Sequence, residues 1–239
     1  MMAQTRPGAS SGGGINAGDA FTAPVEDYLK AIYDLERSAD GGPAATTDIA
    51  QRLAIAPASV SGMVRRLADQ GLLDHERYHG VRLTEEGRRV ALRTIRRHRI
   101  IESYLTRALG YPWDLVHDEA ERLEHAASDE LIDRMAASIG SPATDPHGAP
   151  IPGRDGTVYE DAAVALSELD PGQHARIVRV SDDDASRLRY MATLGLVPGA
   201  RVTLLGSAPF GGPISLEVDG SERTIGPALG KVIMVERCG

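Results

Sequence analysis

Apolar residues recur at helical spacing over the first part of the chain and at strand spacing over the last part. From Pro24, the stretch VEDYLKAIYDLERS places Leu29, Ile32 and Leu35 on one helix face, and Pro24 suits the first helical position. Over 163–239 the pattern changes to short β-like runs, HARIVRV, RVTLLG, PISLEV and KVIMVE, around one helical piece, SRLRYMATLG. We therefore predict a mainly α protein with a small all-β domain, a barrel of SH3-like size, at its C-terminal end.

Two short helices and a hairpin follow the first helix. TTDIAQRLAI, led by the candidate N-cap residues Thr46 and Thr47, is separated by the break IAPAS from SVSGMVRRLADQ, which ends at Gly71. LLDHERYHGVRLT then gives two strand-like runs around the YHG at 78–80. Helix, helix and wing predict a winged helix-turn-helix domain over 24–92. A helix pair of this size also occurs in plain α packing, so the pattern alone leaves both interpretations open.

The second short helix carries the candidate DNA-binding residues. They are Ser59, Ser61, Arg65 and Arg66. Serine hydroxyls bond phosphates, and arginines reach the backbone or a groove. Basic residues outnumber acidic ones over 46–109, whereas acidic residues dominate over 114–134. In a chain of net charge −8 this asymmetry indicates a local phosphate-binding face, although ordinary surface salt bridges are the alternative explanation.

A long helix and a second helix are predicted after the wing. Thr84 is suited to cap the long helix TEEGRRVALRTIRRHRIIESYLTRALG, which should end before Gly110. The second helix is predicted from about Trp113 to Ile139.

A ladder of imidazoles and carboxylates lies on the second helix, in the stretch VHDEAERLEHAASDE. Its members are His117, Glu121, Glu124 and His125. Helical spacing puts them on one face. A solvated acidic face with two incidental histidines is the simpler alternative, since charge runs are usually exposed. On the long helix, His98 and Glu102 form a second pair at i and i+4, whereas His147 and His174 have no comparable partner in the sequence.

Composition indicates the cellular compartment in which the protein is expected to work. The single cysteine, Cys238, leaves no disulfide framework and no cysteine-based zinc site, which indicates a reducing compartment. Residues 1–23 are rich in Gly, Ser and Ala and are predicted as a disordered leader rather than a secretory signal. The Pro- and Gly-rich segment 141–162 is predicted as a linker. No stretch approaches a membrane span, so we expect a cytoplasmic protein with no membrane partner.

Several of these stretches together resemble the diphtheria-toxin-repressor family of metal-dependent bacterial transcription repressors. They are YLKAIYDLE, RRHRIIE, VHDEAERLEHAASDE and DPHGAPIPG, and the resemblance runs in the family's order from about 25 to 237. It implies a winged helix, a helical dimerisation and metal-binding domain at 93–140, and an SH3-like domain similar to the FeoA module. It also implies a homodimer that binds double-stranded operator DNA, with no catalysis.

The resemblance assigns two metal sites. It implies a primary site from Asp27, Glu121, Glu124 and His125. It implies an ancillary site from His98, Glu102 and His117, completed by the SH3-like domain, where Asp184, with Asp182 nearby, is the best match. The iron-responsive branch has a glutamine where this chain has Arg187, so that part of the ancillary site departs from the family pattern.

Two substitutions bear on the choice of metal. The iron-responsive branch carries a Met where Asp27 stands and a Cys where Glu121 stands, so both sulfur ligands are replaced by carboxylates. Carboxylate-rich sites favour harder ions, which predicts Mn²⁺, as in the manganese-responsive branch. Fe²⁺ is the alternative, with repression of iron-uptake genes, because oxygen and imidazole ligands accept it as well. The two-domain manganese regulators have a carboxylate where this chain has Lys30, so one primary and one separate ancillary ion are expected here.

Two rival functions fit the sequence less well. A hydrolytic zinc enzyme would need a motif such as HExxH on a helix, with an open coordination position. The HERYH at 75–79 has these letters, but it falls in the predicted wing hairpin and not on a helix. A winged-helix regulator of an organic ligand would present an apolar pocket, whereas this helix pair presents carboxylates.

Overall fold

The computed structural model describes residues 21–39, 41–76, 80–159, 162–181 and 184–238. Its first part is a winged helix of three helices and a two-stranded hairpin. The elements are α1 (Ala23–Ser38), α2 (Thr46–Arg52), α3 (Pro57–Asp69), β1 (Leu73–Glu76) and β2 (Gly80–Leu83). The strands pair antiparallel, with Leu73 opposite Leu83. The predicted winged helix-turn-helix pattern is thus present, and the tip of the wing at 77–79 lies outside the described residues.

Apolar faces of α1 and α3 form the core of this part. Leu29 and Ile32 of α1 are fully buried with Val60 and Leu67 of α3. The periodicity that predicted α1 and α3 therefore reports their packing. The prediction that Thr46 or Thr47 caps α2 is wrong. The N-cap position falls on Ala45, and no side chain there accepts a capping hydrogen bond.

Helix α4 (Glu85–Leu109) has the predicted bounds. The Thr84 side chain accepts a hydrogen bond from the Gly87 N–H at 3.1 Å. At its other end, Gly110 adopts the left-handed conformation (φ 69°) that commonly ends a helix. Both ends are thus fixed by local sequence.

The single helix predicted from Trp113 to Ile139 is wrong, because the chain forms α5 (Val116–Leu123) and α6 (Asp129–Ser138) there. A turn at 124–126 separates them, and the Ser128 side chain starts α6 by accepting from Leu131 N–H at 3.3 Å. His125 consequently projects from a turn and not from a helix face, which changes the geometry of the ladder.

The C-terminal part is a six-stranded antiparallel sheet in the order β3-β8-β4-β5-β6-β7. Its elements are β3 (Val164–Ala165), β4 (His174–Val180), α7 (Ala185–Thr193), β5 (Arg201–Ser207), β6 (Ile214–Val218), β7 (Ser221–Ile225), α8 (Pro227–Val232) and β8 (Ile233–Arg237). It encloses its own core, in which Ile177, Leu216 and Val235 are fully buried. This all-β domain confirms the predicted fold class.

The segment 141–162 joins the helical part to the sheet domain, and much of it is packed. Asp145 and His147 are buried, and the main-chain carbonyl of His147 accepts from the N–H of Val180 in β4 at 2.9 Å. A Cβ on Gly148 (φ +89°) would lie 1.9 Å from the carbonyl oxygen of Val178. The segment therefore docks closely on the sheet domain.

Within the described ranges, every helix is either too short or too polar to cross a membrane.

Candidate metal centre and DNA-binding face

Three helices bring the candidate ligands together. Asp27 comes from α1, His98 and Glu102 come from α4, and the remaining ligands come from α5 and the turn after it. The structure arranges them in overlapping groups rather than in two separate sites. The groups whose ligand atoms lie within 4.8 Å of one another are Asp27–Glu124–His125, His98–Glu121–Glu124, His98–Glu102–His117 and Glu102–Asp145–His147.

The first group contains three of the four residues predicted for the primary site. His125 Nε2 lies 2.9 Å from Asp27 Oδ1 and 3.5 Å from Glu124 Oε1. The other ring nitrogen, Nδ1, lies 2.6 Å from Oε2 of the buried Glu26. Glu26 in turn pairs with Arg97 at 3.3 Å. Glu26, which the sequence did not single out, thereby fixes the ring of His125 so that Nε2 faces Asp27 and Glu124.

The fourth predicted primary ligand, Glu121, lies in a different group. Its Oε1 is 2.6 Å from the Nζ of Lys30 and 3.7 Å from Nδ1 of His98. Glu124 belongs to both groups, because its Oε2 is 2.5 Å from His98 Nδ1. The structure therefore places Glu121 and Lys30 between the predicted primary and ancillary ligands.

The three helical ligands predicted for the ancillary site do meet. His98 Nε2 lies 3.0 Å from Glu102 Oε1 and 3.1 Å from His117 Nδ1. His117 Nδ1 is 3.5 Å from the same Glu102 oxygen. His98 and Glu102 are buried, whereas His117 is partly exposed. One carboxylate oxygen thus faces two imidazole nitrogens.

The expectation that His147 lacks a partner is wrong. Its Nδ1 lies 3.8 Å from Oε2 of Glu102, and both side chains are fully buried. Its Nε2 lies 2.7 Å from the carbonyl oxygen of Trp113, which only accepts, so Nε2 carries the proton. Asp145 completes this group from the same turn. The DPH order of 145–147 was visible in the sequence, but its nearness to Glu102 is a product of the tertiary fold.

Asp184 is not brought to either site. It is the N-cap of α7, and its Oδ1 accepts from the N–H groups of Ser186 at 2.8 Å and Arg187 at 3.1 Å. Asp184 is absent from the ligand groups formed by the described residues. The neighbouring Asp182 lies outside the described residues.

The electrostatics of the cluster reflect close packing of opposite charges. Burial lowers the pKa of His98, but the carboxylates of Glu102 and Glu124 outweigh it and raise that pKa to about 10. Burial raises the pKa of Glu102, but the surrounding imidazoles hold it well below its usual range. Burial raises the pKa of Asp27, and the neighbouring carboxylates of Glu121 and Glu124 raise it further against His125.

The donor set fits a divalent cation. Oε2 of Glu102 is buried and has no hydrogen-bond partner in the described part of the chain, although an unpaired buried carboxylate oxygen is costly. Neutral imidazole and carboxylate are the ligands of first-row divalent ions, and His125 and His147 each have their second nitrogen held by a carboxylate or a carbonyl. A bound ion would supply a positive charge that these carboxylates share.

The candidate DNA contacts lie on the exposed side of α3. The opposite face of the helix is buried through Val60, Val64 and Leu67, whereas the candidate residues are all exposed: Ser59, Ser61, Arg65 and Arg66. A Cβ added at Gly62 would meet nothing within 4 Å. Among the described residues, this side of α3 is therefore exposed to solvent.

Comparison with known proteins agrees with this arrangement. Residues 20–81 match the family model described as "Iron dependent repressor, N-terminal DNA binding domain", and residues 84–153 match "Iron dependent repressor, metal binding and dimerisation domain". Residues 164–237 match the FeoA domain.

Two curated relatives and one solved structure indicate the same family. The "Iron-dependent repressor IdeR" of Mycobacterium tuberculosis (strain ATCC 25618 / H37Rv) is 34% identical over 226 residues, which cover 89% of this chain and 96% of that relative. The "HTH-type transcriptional regulator MntR" of Lysinibacillus sphaericus (strain C3-41) is 36% identical over 115 residues, 48% of this chain and 81% of that protein. The solved structure of a "Manganese-dependent transcriptional repressor complex with manganese" is 40% identical, with a TM-score of 0.82, covering 90% of this chain and 100% of that one. The chain belongs to the diphtheria-toxin-repressor family of metal-dependent transcriptional repressors.

Proposed function

We propose that the protein is a Mn²⁺-activated repressor of manganese-homeostasis genes. The observation that carries this proposal is the position of Asp27, 2.9 Å from His125 Nε2 and grouped with Glu124, in a centre built from oxygen and nitrogen donors. Such donors suit Mn²⁺, which binds weakly in the divalent series and must be selected by ligand type. Fe²⁺ is the second candidate, because relatives named as iron-dependent repressors match most of the chain.

We assign the primary ion to Asp27, Glu124 and His125, with Glu121 as the fourth ligand once it leaves Lys30. We assign the ancillary ion to His98, Glu102, His117 and His147. The buried Oε2 of Glu102 and the Nδ1 of His147 support this extension, because the Trp113 carbonyl keeps the proton on the other nitrogen of the ring.

The effect of the metal is conformational. Asp27 lies on α1 of the winged helix, whereas Glu124 and His125 follow α5 of the metal-binding domain. An ion shared by these ligands ties the two domains and fixes the distance between the two α3 helices of a homodimer. These helices can then enter major grooves about one helical turn apart, or a multiple of it. Coupling of about 1–3 kcal/mol would change DNA affinity roughly 5- to 150-fold.

We infer that the two subunits of the homodimer contact each other through an apolar surface. Five of the nine exposed large apolar side chains in the described part of the chain belong to the stretch from the end of α4 to the start of α6. They are Leu109, Tyr111, Leu115, Leu123 and Leu131. Contiguous exposed apolar residues mark association surfaces, so we place the dimer contact on this stretch.

Fluorescence anisotropy tests the proposed function. The full chain is titrated onto a labelled manganese-transporter promoter in chelator, Mn²⁺, anaerobic Fe²⁺ or Zn²⁺ at fixed salt, because salt alone changes such affinities. We expect Mn²⁺ to raise affinity at concentrations where Fe²⁺ does little. Equal or stronger activation by Fe²⁺ would favour the iron-dependent alternative, and binding that ignores metal would contradict both.

A double variant tests the ligand-type argument. Asp27→Met with Glu121→Cys introduces two sulfur donors, and softer donors should shift the response toward Fe²⁺. The same anisotropy titration is the readout. An unchanged metal preference in the double variant would remove the reason for choosing Mn²⁺.

A further inference from the structure

Lys30 places an ammonium group at the centre of the ligand cluster. Its Nζ lies 2.6 Å from Glu121 Oε1, 3.1 Å from each oxygen of Glu124, and 3.2 Å from His98 Nδ1. The side chain of Lys30 is 15% exposed and that of Glu124 is fully buried. The ammonium thus lies between two carboxylates, beside the ring of His98, and these three residues are themselves a candidate metal site.

The residue type at this position is informative. Lys30 and Lys231 are the only lysines in the sequence, and arginine supplies the other basic residues. An ammonium is a compact point charge, whereas a guanidinium is a planar fork, so lysine is the closer substitute for a metal cation. The carboxylates of Glu121 and Glu124, within 3.1 Å of Nζ, are the negative charges that this ammonium neutralises.

We propose that the Lys30 ammonium occupies the His98–Glu121–Glu124 group and prevents a metal ion from binding there. It also competes with the primary ion for Glu121 and Glu124. This inference rests on the proposed function. Both oxygens of Glu124 face Lys30 at equal distance, while Oε1 is also the atom nearest His125. An ion bound between Asp27 and His125 must therefore draw Glu124, and then Glu121, away from the ammonium.

Two consequences follow from this competition. Lys30 balances the buried carboxylates when no metal is bound, so it stabilises the metal-free protein. It also weakens Mn²⁺ binding, because the ion must replace existing ion pairs and lie close to a positive charge. Lys30 thereby sets the metal concentration at which the repressor responds.

The test compares Lys30→Gln with two controls in the full chain. Lys30→Arg keeps the positive charge, and Lys231→Gln removes an exposed lysine with the same change in net charge. Mn²⁺ affinity is measured from the loss of the EPR signal of the free ion, and the melting temperature is measured in chelator and with Mn²⁺. Neither readout depends on DNA binding.

For Lys30→Gln we expect Mn²⁺ to bind about tenfold tighter or more, a lower melting temperature in chelator, and a larger rise with Mn²⁺. Lys30→Arg and Lys231→Gln should not bind Mn²⁺ more tightly than the unmodified chain. A Lys30→Gln protein that folds only with Mn²⁺ would also support the inference.

Three results would contradict the inference, and each has a different meaning. Equal Mn²⁺ affinity in Lys30→Gln and the unmodified chain would overturn the role of Lys30 and leave the manganese-sensor proposal intact. A Lys30→Gln chain that does not fold even with Mn²⁺ would make Lys30 a structural residue and overturn the inference. If the unmodified chain itself binds no Mn²⁺, the proposed function and this inference both fail.

Discussion

At the scale of single residues, the orientation of the candidate metal-binding histidines depends on groups that need not touch a metal. Glu26 holds His125 Nδ1 at 2.6 Å and is itself held by Arg97. The Trp113 carbonyl does the same for His147. Each partner decides which nitrogen of a ring is available to an ion.

Glu26→Gln tests this orienting role. The amide keeps the shape of the side chain but loses the charge that favours a proton on Nδ1 of His125. We expect Mn²⁺ affinity to fall about 10- to 100-fold, the range typical of such outer partners. EPR titration measures it, with Glu130→Gln, an exposed change on α6, as the matched control. Unchanged affinity would show that His125 needs no such partner.

The raised pKa of His98 predicts how the folding stability of the metal-free protein changes with pH. Its pKa is raised to about 10 in the folded state, above the unfolded value of 6.5. The stabilisation is therefore complete below about pH 6.5 and is lost progressively as pH rises toward 10. Melting temperatures in chelator should fall across this window, and His98→Gln should reduce the fall. A melting temperature that His98→Gln leaves with the same pH dependence would contradict this assignment.

At the scale of elements, α1 contributes to the candidate metal centre and also contacts the wing. Asp27 is in its first part, and Glu36 near its end accepts the N–H of Leu83 in β2 at 2.8 Å and pairs with Arg88 at 2.9 Å. Glu36 is buried. A change in the position of α1 is thus passed directly to the base of the wing.

Glu36→Ala should separate these two functions. It leaves the Leu83 N–H without its acceptor, which costs about 1–3 kcal/mol of folding stability. We expect a lower melting temperature and weaker metal-dependent DNA binding, with Mn²⁺ affinity unchanged. Glu36→Gln keeps an acceptor oxygen and should lose less. Equal losses in both variants would mean that the charge pair with Arg88, and not the Leu83 contact, is decisive.

An element could be predicted from the sequence where the residues that determine its ends lie next to it in the chain. Helix α4 was predicted at both ends because Thr84 and Gly110 act on their own neighbours. The break between α5 and α6 was missed, although Ser128 is a good N-cap, because acidic residues at helical spacing continue through the turn. Strand β7 was missed because Ile225 is its only buried residue. The groups around Lys30 and His147 join positions far apart in sequence, which spacing along one helix cannot reveal.

At the scale of the whole molecule, the turn at 145–149 connects the ancillary group to the sheet domain. The ring of His147 faces Glu102 of α4, while its carbonyl bonds to Val180 of β4. Asp145 Oδ1 accepts from the N–H groups of His147 and Ala149, which fixes the turn. Anything that moves the sheet domain therefore moves a candidate ligand.

Gly148→Ala tests this connection. A Cβ there would meet the Val178 carbonyl at 1.9 Å, so we expect a loss of about 1–3 kcal/mol in stability. Binding at the ancillary group should weaken more than binding at the Asp27 group. Gly140→Ala is the control, because Gly140 also has a positive φ (+81°) but open space around it. Equal effects of the two variants would attribute the loss to backbone strain alone.

The donor set of the centre has a consequence for oxidative chemistry. All the assigned ligands bind through oxygen or nitrogen, and the one cysteine of the chain, Cys238, is exposed near the C-terminus beyond β8. Peroxide inactivates thiolate-ligated sites by converting sulfur to sulfenic and higher acids, a reaction for which this centre offers no atom. Thiol oxidation therefore gives peroxide no route to inactivate metal sensing through these ligands.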